Sequence, residues 1–352
     1  MTRELRFFQA LREATEIAMS RDPSVYIMGL GVPDPKGIFG STLGLREKFG
    51  EARVLDMPTS ENGMTGVAIG SALAGMRPIL THQRIDFALL SIEQIVNQAA
   101  KWHTMFGGLM KVPLVIRMIV GRGWGQGPQH SQSLQAWFAH VPGLKVVMPA
   151  TPHDAKGLLL ASIEDDNPVI FIEHRWLYGM SGPVPEGHYT VPLGIARVAR
   201  EGRDLTIVST SYMTLEALRA AERLAEEGIA AEVVDLRTLS PLDEGTVLES
   251  VRKTGRLLVT DTGWKTFGIG AEIIARAAEG CLASLRAAPV RVCLPDLPTP
   301  TSAALAARFY PRAIHIWKEA RNLMGLAGAE GRPFEPPGVP LDVPDPSFVG
   351  PF

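Results

Sequence analysis

Cysteine is almost missing from the 352 residues: only Cys281 and Cys293 occur. Two thiols supply neither a disulfide framework nor a cysteine metal cluster, and such sparse use points to a reducing compartment. Net charge is nearly missing as well, at −2 near neutral pH. That leaves no electrostatic footprint for nucleic acid or an anionic membrane. No apolar run approaches the ~20 residues needed to span a bilayer. The opening stretch MTRELRFFQALREATEIAMS mixes charges with Leu5, Phe8, Leu11 and Ala14, which predicts an amphipathic helix rather than a signal peptide. These absences predict a cytoplasmic protein with neither nucleic acid nor membrane as partner. Two phosphate-binding motifs are excluded too. After the apolar run PLVIRMIV comes GRGWGQGPQHSQS, Gly121 to Ser133, with four alternating glycines. A dinucleotide fingerprint would need its third glycine at position 126 or 128, where Gln126 and Pro128 stand. No Lys-Ser/Thr pair follows, so it is not a P-loop.

What is present is a soluble, two-domain composition: 46% apolar and 20% charged residues in a chain too long for one ordinary core. Short buried runs (SVYIMGLG, RVLDM, RPILTH, PLVIRMIV, LKVVMPA, NPVIFIEH) alternate with helical patterns such as SIEQIVNQAAKWHTMF and HDAKGLLLASIED. A Pro- and Gly-rich stretch at about 181–195, SGPVPEGHYTVPLGI, reads as a linker. The alternation restarts with DLTIVST, the helix TLEALRAAERLAEEG, AAEVVDLR, the helix EGTVLESVRKTG and RLLVTDT. This pattern predicts α/β architecture: two doubly wound domains with parallel sheets and helices on both faces. The last segment, GRPFEPPGVPLDVPDPSFVGPF, holds seven prolines and predicts an arm along a surface.

In such sheets ligands bind beyond the carboxyl ends of strands. His130 lies in one such loop, where it reads either as a polar helix-start residue or as an imidazole delivered to a ligand by glycines that allow close approach. A second strand-to-helix turn, RVLDMPTSENGMTGVAIGSALAG, opens a helix near Glu61. That carboxylate either complements the helix dipole or enters a buried crevice, where a carboxyl group holds or shares a proton more readily.

From PTSENGMTG, DFALLSIEQIVNQAAK, PLVIR, QHSQS, HVPGLKVVMPATPHDAKGLLLASIEDDNPVIF, VDLRTLSPLD and FGIGAEI, the chain resembles the β subunit of thiamine-diphosphate-dependent 2-oxoacid dehydrogenases, the pyruvate, branched-chain and acetoin type within the transketolase-like superfamily. The resemblance covers residues 5 to 325. It implies a pyrimidine-binding thiamine-diphosphate domain over 1–185, a linker over 186–195, a transketolase C-terminal-like domain over 196–325 and the arm over 326–352. Glu61 falls where the family's glutamate bonds the cofactor's aminopyrimidine, Phe87 where an aromatic residue packs on that ring, and His130 where the family has its active-site histidine. Leu114, Ser162, Ile163, Asp165 and Asn167 match a potassium site found in several members. The family's Gly-Asp-Gly segment, which anchors Mg²⁺ and the diphosphate, is absent from the sequence. The resemblance therefore implies a separate α subunit that holds Mg²⁺, in an α2β2 heterotetramer, and a lipoyl acyltransferase or other carrier protein as acyl acceptor.

Departures bear on the substrate. Near the crevice lie His82 and Arg84 in THQRI, His103 in KWHTMF, and His174 with Arg175 in EHRWLYG. Each reads singly as an ordinary strand-end or helix-face residue; grouped, they would suit a polar or phosphorylated substrate. The family's LDAP is RAAP here, Arg286 to Pro289, which bears on docking to the acyltransferase. Three functions follow: the dehydrogenase β subunit, a specialised transketolase-like transferase moving a two-carbon ketol or acyl unit to a carrier protein or other acceptor, and a non-catalytic scaffold subunit. Retention of Glu61, Phe87 and His130 argues against the last.

Overall fold

A computed structural model of the chain describes residues 2–122, 125–326, 334–335 and 341–344. They form two compact units, one of Met1–Val120 with Trp137–Leu193, the other of Gly121–Ala136 with Gly194–Gly350.

In the first unit the β-branched runs become buried parallel strands, in the order Lys145–Val147, Val169–His174, Val115–Val120, Arg77–His82, Val25–Met28 and Val54–Leu55. The strands Val115–Val120 and Val169–His174 are buried at every position, as expected where helices cover a parallel sheet. Helix Phe7–Arg21 packs on helix Pro152–Glu164. The latter is started by Thr151, whose side chain accepts from the Asp154 amide, with Pro152 in its first turn.

The N-terminal stretch corrects the expectation of one continuous helix. Thr2–Arg6 is a strand, and the helix begins only at Phe7. Its antiparallel partner is Ser181–Pro185, within the stretch expected to be linker. Pro183 and Pro185 hid this strand from a sequence reading, but a two-stranded ribbon leaves each strand an open edge where a missing amide hydrogen does no harm.

The second unit carries parallel strands in the order Val290–Leu294, Leu257–Trp264, Leu205–Ser209 and Ala231–Asp235. Arg197–Arg200 closes the edge antiparallel, a departure from the all-parallel expectation. Helix Tyr212–Glu226 is followed by Gly228 at φ 80, and helix Glu244–Thr254 stops at Gly255 at φ 73, conformations that favour glycine. Most of the proline-rich arm assigned to 326–352 lies outside the described residues. No helix among the described residues is long and apolar enough to cross a membrane.

Candidate active site

Glu61 is the first residue of helix Glu61–Leu73, and Ser60 before it provides no side-chain cap. The residue is 6% exposed, and its carboxylate makes no hydrogen bond or ion pair with any described residue. The adjoining helix dipole favours negative charge at this point, yet a buried carboxylate without bonded partners is costly. Gly66 on this helix faces Gln94, on the π-helical segment Gln94–Ala99. Such π segments are rare and often mark functional sites.

His82 ends the strand Arg77–His82 and is 2% exposed. Burial lowers its pKa to about 4, so the imidazole is neutral near pH 7. Its Nε2 has no hydrogen-bond partner among the described residues. Arg84 and Phe87 follow, the first preceding the short helix Ile85–Ala88 and the second half-buried within it. Arg84 lies over the Phe39 ring at 5.7 Å, and Arg175 lies over the same ring at 4.6 Å and over Tyr178 at 4.8 Å. Burial lowers the Arg175 pKa to about 10; Tyr178 opposes that shift and the Arg84 charge adds to it. Two guanidinium groups thus share one aromatic face.

The other basic residues separate. His174 is buried, its pKa lowered by burial to about 3, and its Nδ1 accepts from the Trp176 amide at 3.2 Å. His103 is exposed on helix Ala100–Met105, with Nδ1 2.9 Å from the Met110 carbonyl. It serves a turn and does not join the group.

A buried network supports this end of the sheet, and sequence reasoning missed it. Arg117 pairs with Glu173 at 2.5 Å and donates to Ser41 Oγ at 2.9 Å, while the Tyr178 hydroxyl donates to Glu173. Arg117 and Glu173 are wholly buried. Ser41 lies on the same loop as Phe39, a non-glycine residue at φ 48. The available signal was a charged residue within each of two largely apolar strands, Arg117 in VIRMIV and Glu173 in VIFIEH.

Of the residues of the implied potassium site, the Leu114, Ile163 and Asp165 oxygens accept from protein donors. Arg77 donates to the Ile163 and Asp165 carbonyls at 3.0 Å each and to Asp166 Oδ1 at 2.7 Å. Lys145 bonds the Asp165 carboxylate, which also accepts from the Asn167 amide at 2.9 Å and side chain at 3.0 Å. The Leu114 carbonyl accepts from the Val169 amide at 2.9 Å. The Ser162 hydroxyl donates to the Leu158 carbonyl.

His130 belongs to the second unit, exposed on a loop that the described residues fasten repeatedly. Arg122 donates to the Gln126 and Thr301 carbonyls. A Cβ at Gly127 would meet Thr301 Oγ1 at 2.2 Å, so glycine is required there for contact. Thr299 Oγ1 donates to the Ser131 carbonyl at 3.4 Å, and Gln135 Nε2 to Asp261 Oδ1 at 2.8 Å. Burial raises the Asp261 pKa to about 6, against the Gln135 hydrogen bond.

The first unit thus carries a carboxylate at a helix start, a neutral imidazole at a strand end and an aromatic residue in the short helix that follows. Residues 3–180 match the family described as transketolase, pyrimidine binding domain, and residues 194–316 the transketolase, C-terminal domain. The acetoin:2,6-dichlorophenolindophenol oxidoreductase subunit beta of Cupriavidus necator is 47% identical over 334 residues, covering 92% of this chain and 98% of that protein. The mitochondrial pyruvate dehydrogenase E1 component subunit beta-1 of Arabidopsis thaliana is 43% identical over 324 residues, covering 91% and 89%. A solved structure titled split gene transketolase, inactive beta4 tetramer, superimposes with TM-score 0.75 at 23% identity, covering 92% and 100%, which shows the shared fold. The chain belongs to the family of 2-oxoacid dehydrogenase E1 β subunits, of the pyruvate and acetoin type.

Proposed function

We propose that this chain is the β subunit of a thiamine-diphosphate-dependent dehydrogenase that decarboxylates a 2-oxoacid and passes the acyl unit to a lipoyl or similar carrier. The observation that carries the reading is the buried Glu61 carboxylate, which has no protein partner among the described residues and stands at a helix start. Such a group fits a ring nitrogen of a bound heterocycle, because it can accept or share a proton there. Thiamine diphosphate, when bound, supplies a carbon nucleophile and an electron sink for decarboxylation. Glu61 would hold and protonate the aminopyrimidine, and Phe87 would pack on its face. His82, neutral and with Nε2 available, and Arg84, beside it, would meet the polar atoms of the substrate. His130 would move a proton during acyl transfer.

With no Gly-Asp-Gly segment in the sequence, Mg²⁺ and the diphosphate fall to an α subunit, and an α2β2 assembly completes the site. The bracing expected from potassium is assigned to Arg77 and Lys145, which engage the Asp165 loop. Calorimetry tests the two-chain reading: the chain alone should bind thiamine diphosphate and Mg²⁺ poorly, and co-purified with its α partner tightly. Tight Mg²⁺-dependent binding by the chain alone would refute it. A screen of 2-oxoacids on the same complex would then identify the substrate.

A further inference from the structure

We propose that Asp342, on the C-terminal segment, is a positioning residue for the glycine loop that carries His130; the functional half of this inference rests on the reading of His130 given above. The link runs through Arg122, at the start of the loop and 2% exposed. Its guanidinium reaches three ways: Nε to the Gln126 carbonyl at 3.0 Å, Nη2 to the Thr301 carbonyl at 2.6 Å, and Nη1 to Asp342 Oδ2 at 2.5 Å. Asp342 is 7% exposed, so the ion pair is buried.

The segment is built to present that carboxylate. Arg312, 1% exposed, donates Nη1 to the Leu341 and Val343 carbonyls at 3.0 and 2.8 Å and Nη2 to the Pro344 carbonyl at 3.2 Å. These carbonyls flank Asp342 on both sides, so Arg312 fixes the backbone that aims the carboxylate. Arg312 is itself set by Glu216 at 3.2 Å. The upstream part of the segment joins the same anchor: Glu335 pairs with Arg219 at 2.7 Å and with Arg312 at 3.4 Å, and Phe334 lies under Arg223 at 4.4 Å.

The coupling to His130 is short. Arg122 ties residue 122 to the carbonyl of Gln126; the next residue, Gly127, packs on Thr301, and its carbonyl accepts from the His130 amide at 3.2 Å. A buried cation that loses its counter-charge is strongly disfavoured. Without Asp342 the buried guanidinium loses this carboxylate, which weakens its hold on the Gln126 carbonyl and on the register of the loop. Tail and loop thus form one unit: the tail supplies charge, and the loop converts it into a fixed position for the imidazole.

The test uses the complex co-purified with its α subunit and compares Asp342→Asn with Glu272→Gln, which breaks an exposed ion pair to Arg276 in the same unit and touches neither Arg122 nor the segment. Hydrogen exchange of peptides covering 121–133 reports the loop, and steady-state kinetics with a 2-oxoacid and a dye acceptor report function. Asp342→Asn should raise loop exchange about tenfold or more and lower kcat, with KM and thiamine diphosphate affinity unchanged, and Asp342→Glu should restore part of both. Glu272→Gln should leave the loop at wild-type exchange. Where Asp342→Asn does not fold, Arg122→Lys keeps the charge but loses the fork, and should loosen the loop alone. Wild-type loop exchange in Asp342→Asn, or equal loosening by Glu272→Gln, would overturn the proposal. Raised loop exchange with unchanged kcat would uphold Asp342 as the positioner and overturn instead the catalytic reading of His130.

Discussion

Replacing His82 with Asn tests whether a neutral, desolvated imidazole stands at the end of the strand Arg77–His82. The side chain is 2% exposed, and burial brings its pKa from 6.5 to about 4. In the unfolded chain the same group protonates near 6.5, so between pH 6.5 and about 4 the unfolded state binds the extra proton. The contribution of His82 to stability is therefore complete above pH 6.5 and is lost as pH falls toward 4. At pH 5 that loss amounts to ~2 kcal/mol. His174 behaves alike down to about pH 3, whereas Asp261, raised to about 6, works in the opposite direction: its contribution is full below 3.8 and lost as pH rises to about 6. The net pH profile of the wild type therefore mixes all three, and the difference between wild type and His82→Asn isolates one. Urea denaturation of the full-length chain at half-unit steps from pH 5 to 8 gives that difference directly. The wild type should lose ~2 kcal/mol relative to the variant between pH 7 and 5. Parallel curves would show that His82 is solvated or paired, and would remove it from the candidate site.

Three further outcomes follow from the same geometry. His130→Ala, at an exposed position, should leave the melting temperature nearly unchanged and lower acyl transfer by about 10²–10⁴-fold in single-turnover assays; normal transfer would return His130 to an ordinary loop residue. Arg77→Met should cost ~1–3 kcal/mol in denaturant titrations, since two carbonyls and the Asp166 carboxylate lose their donor. The wild type should melt at the same temperature in KCl and NaCl, and a potassium-specific rise would assign the Asp165 loop to the ion instead.

Much of the fold was legible because its strands are buried on both faces. Runs such as VIRMIV and VIFIEH need no alternation to be recognised, and the helices between them carry clear starts and stops at Thr151, Asp243, Gly228 and Gly255. The signals failed where tertiary pairing decides. Thr2–Arg6 is a strand only because Ser181–Pro185 lies beside it, and those two segments are far apart in sequence. Of the site, Glu61 and His82 were legible as polar residues at strand-to-helix turns. Phe39 was not: its role comes from a backbone at φ 48 and from Arg84 and Arg175, which meet over its ring from distant parts of the chain. The donation by Arg77 and Lys145 to the Asp165 loop was equally hidden, because both side chains come from elements distant in sequence.

The central claim is that the buried carboxylate of Glu61 serves a cofactor nitrogen rather than the fold. The direct measurement is the rate at which the thiazolium carbon proton of thiamine diphosphate exchanges with deuterium in the reconstituted α–β complex, wild type against Glu61→Gln. Glutamine keeps the size and a hydrogen bond but cannot carry the proton. The account predicts that cofactor binding and assembly persist while exchange slows by about 10²–10⁴-fold. Exchange at the wild-type rate in Glu61→Gln would contradict it.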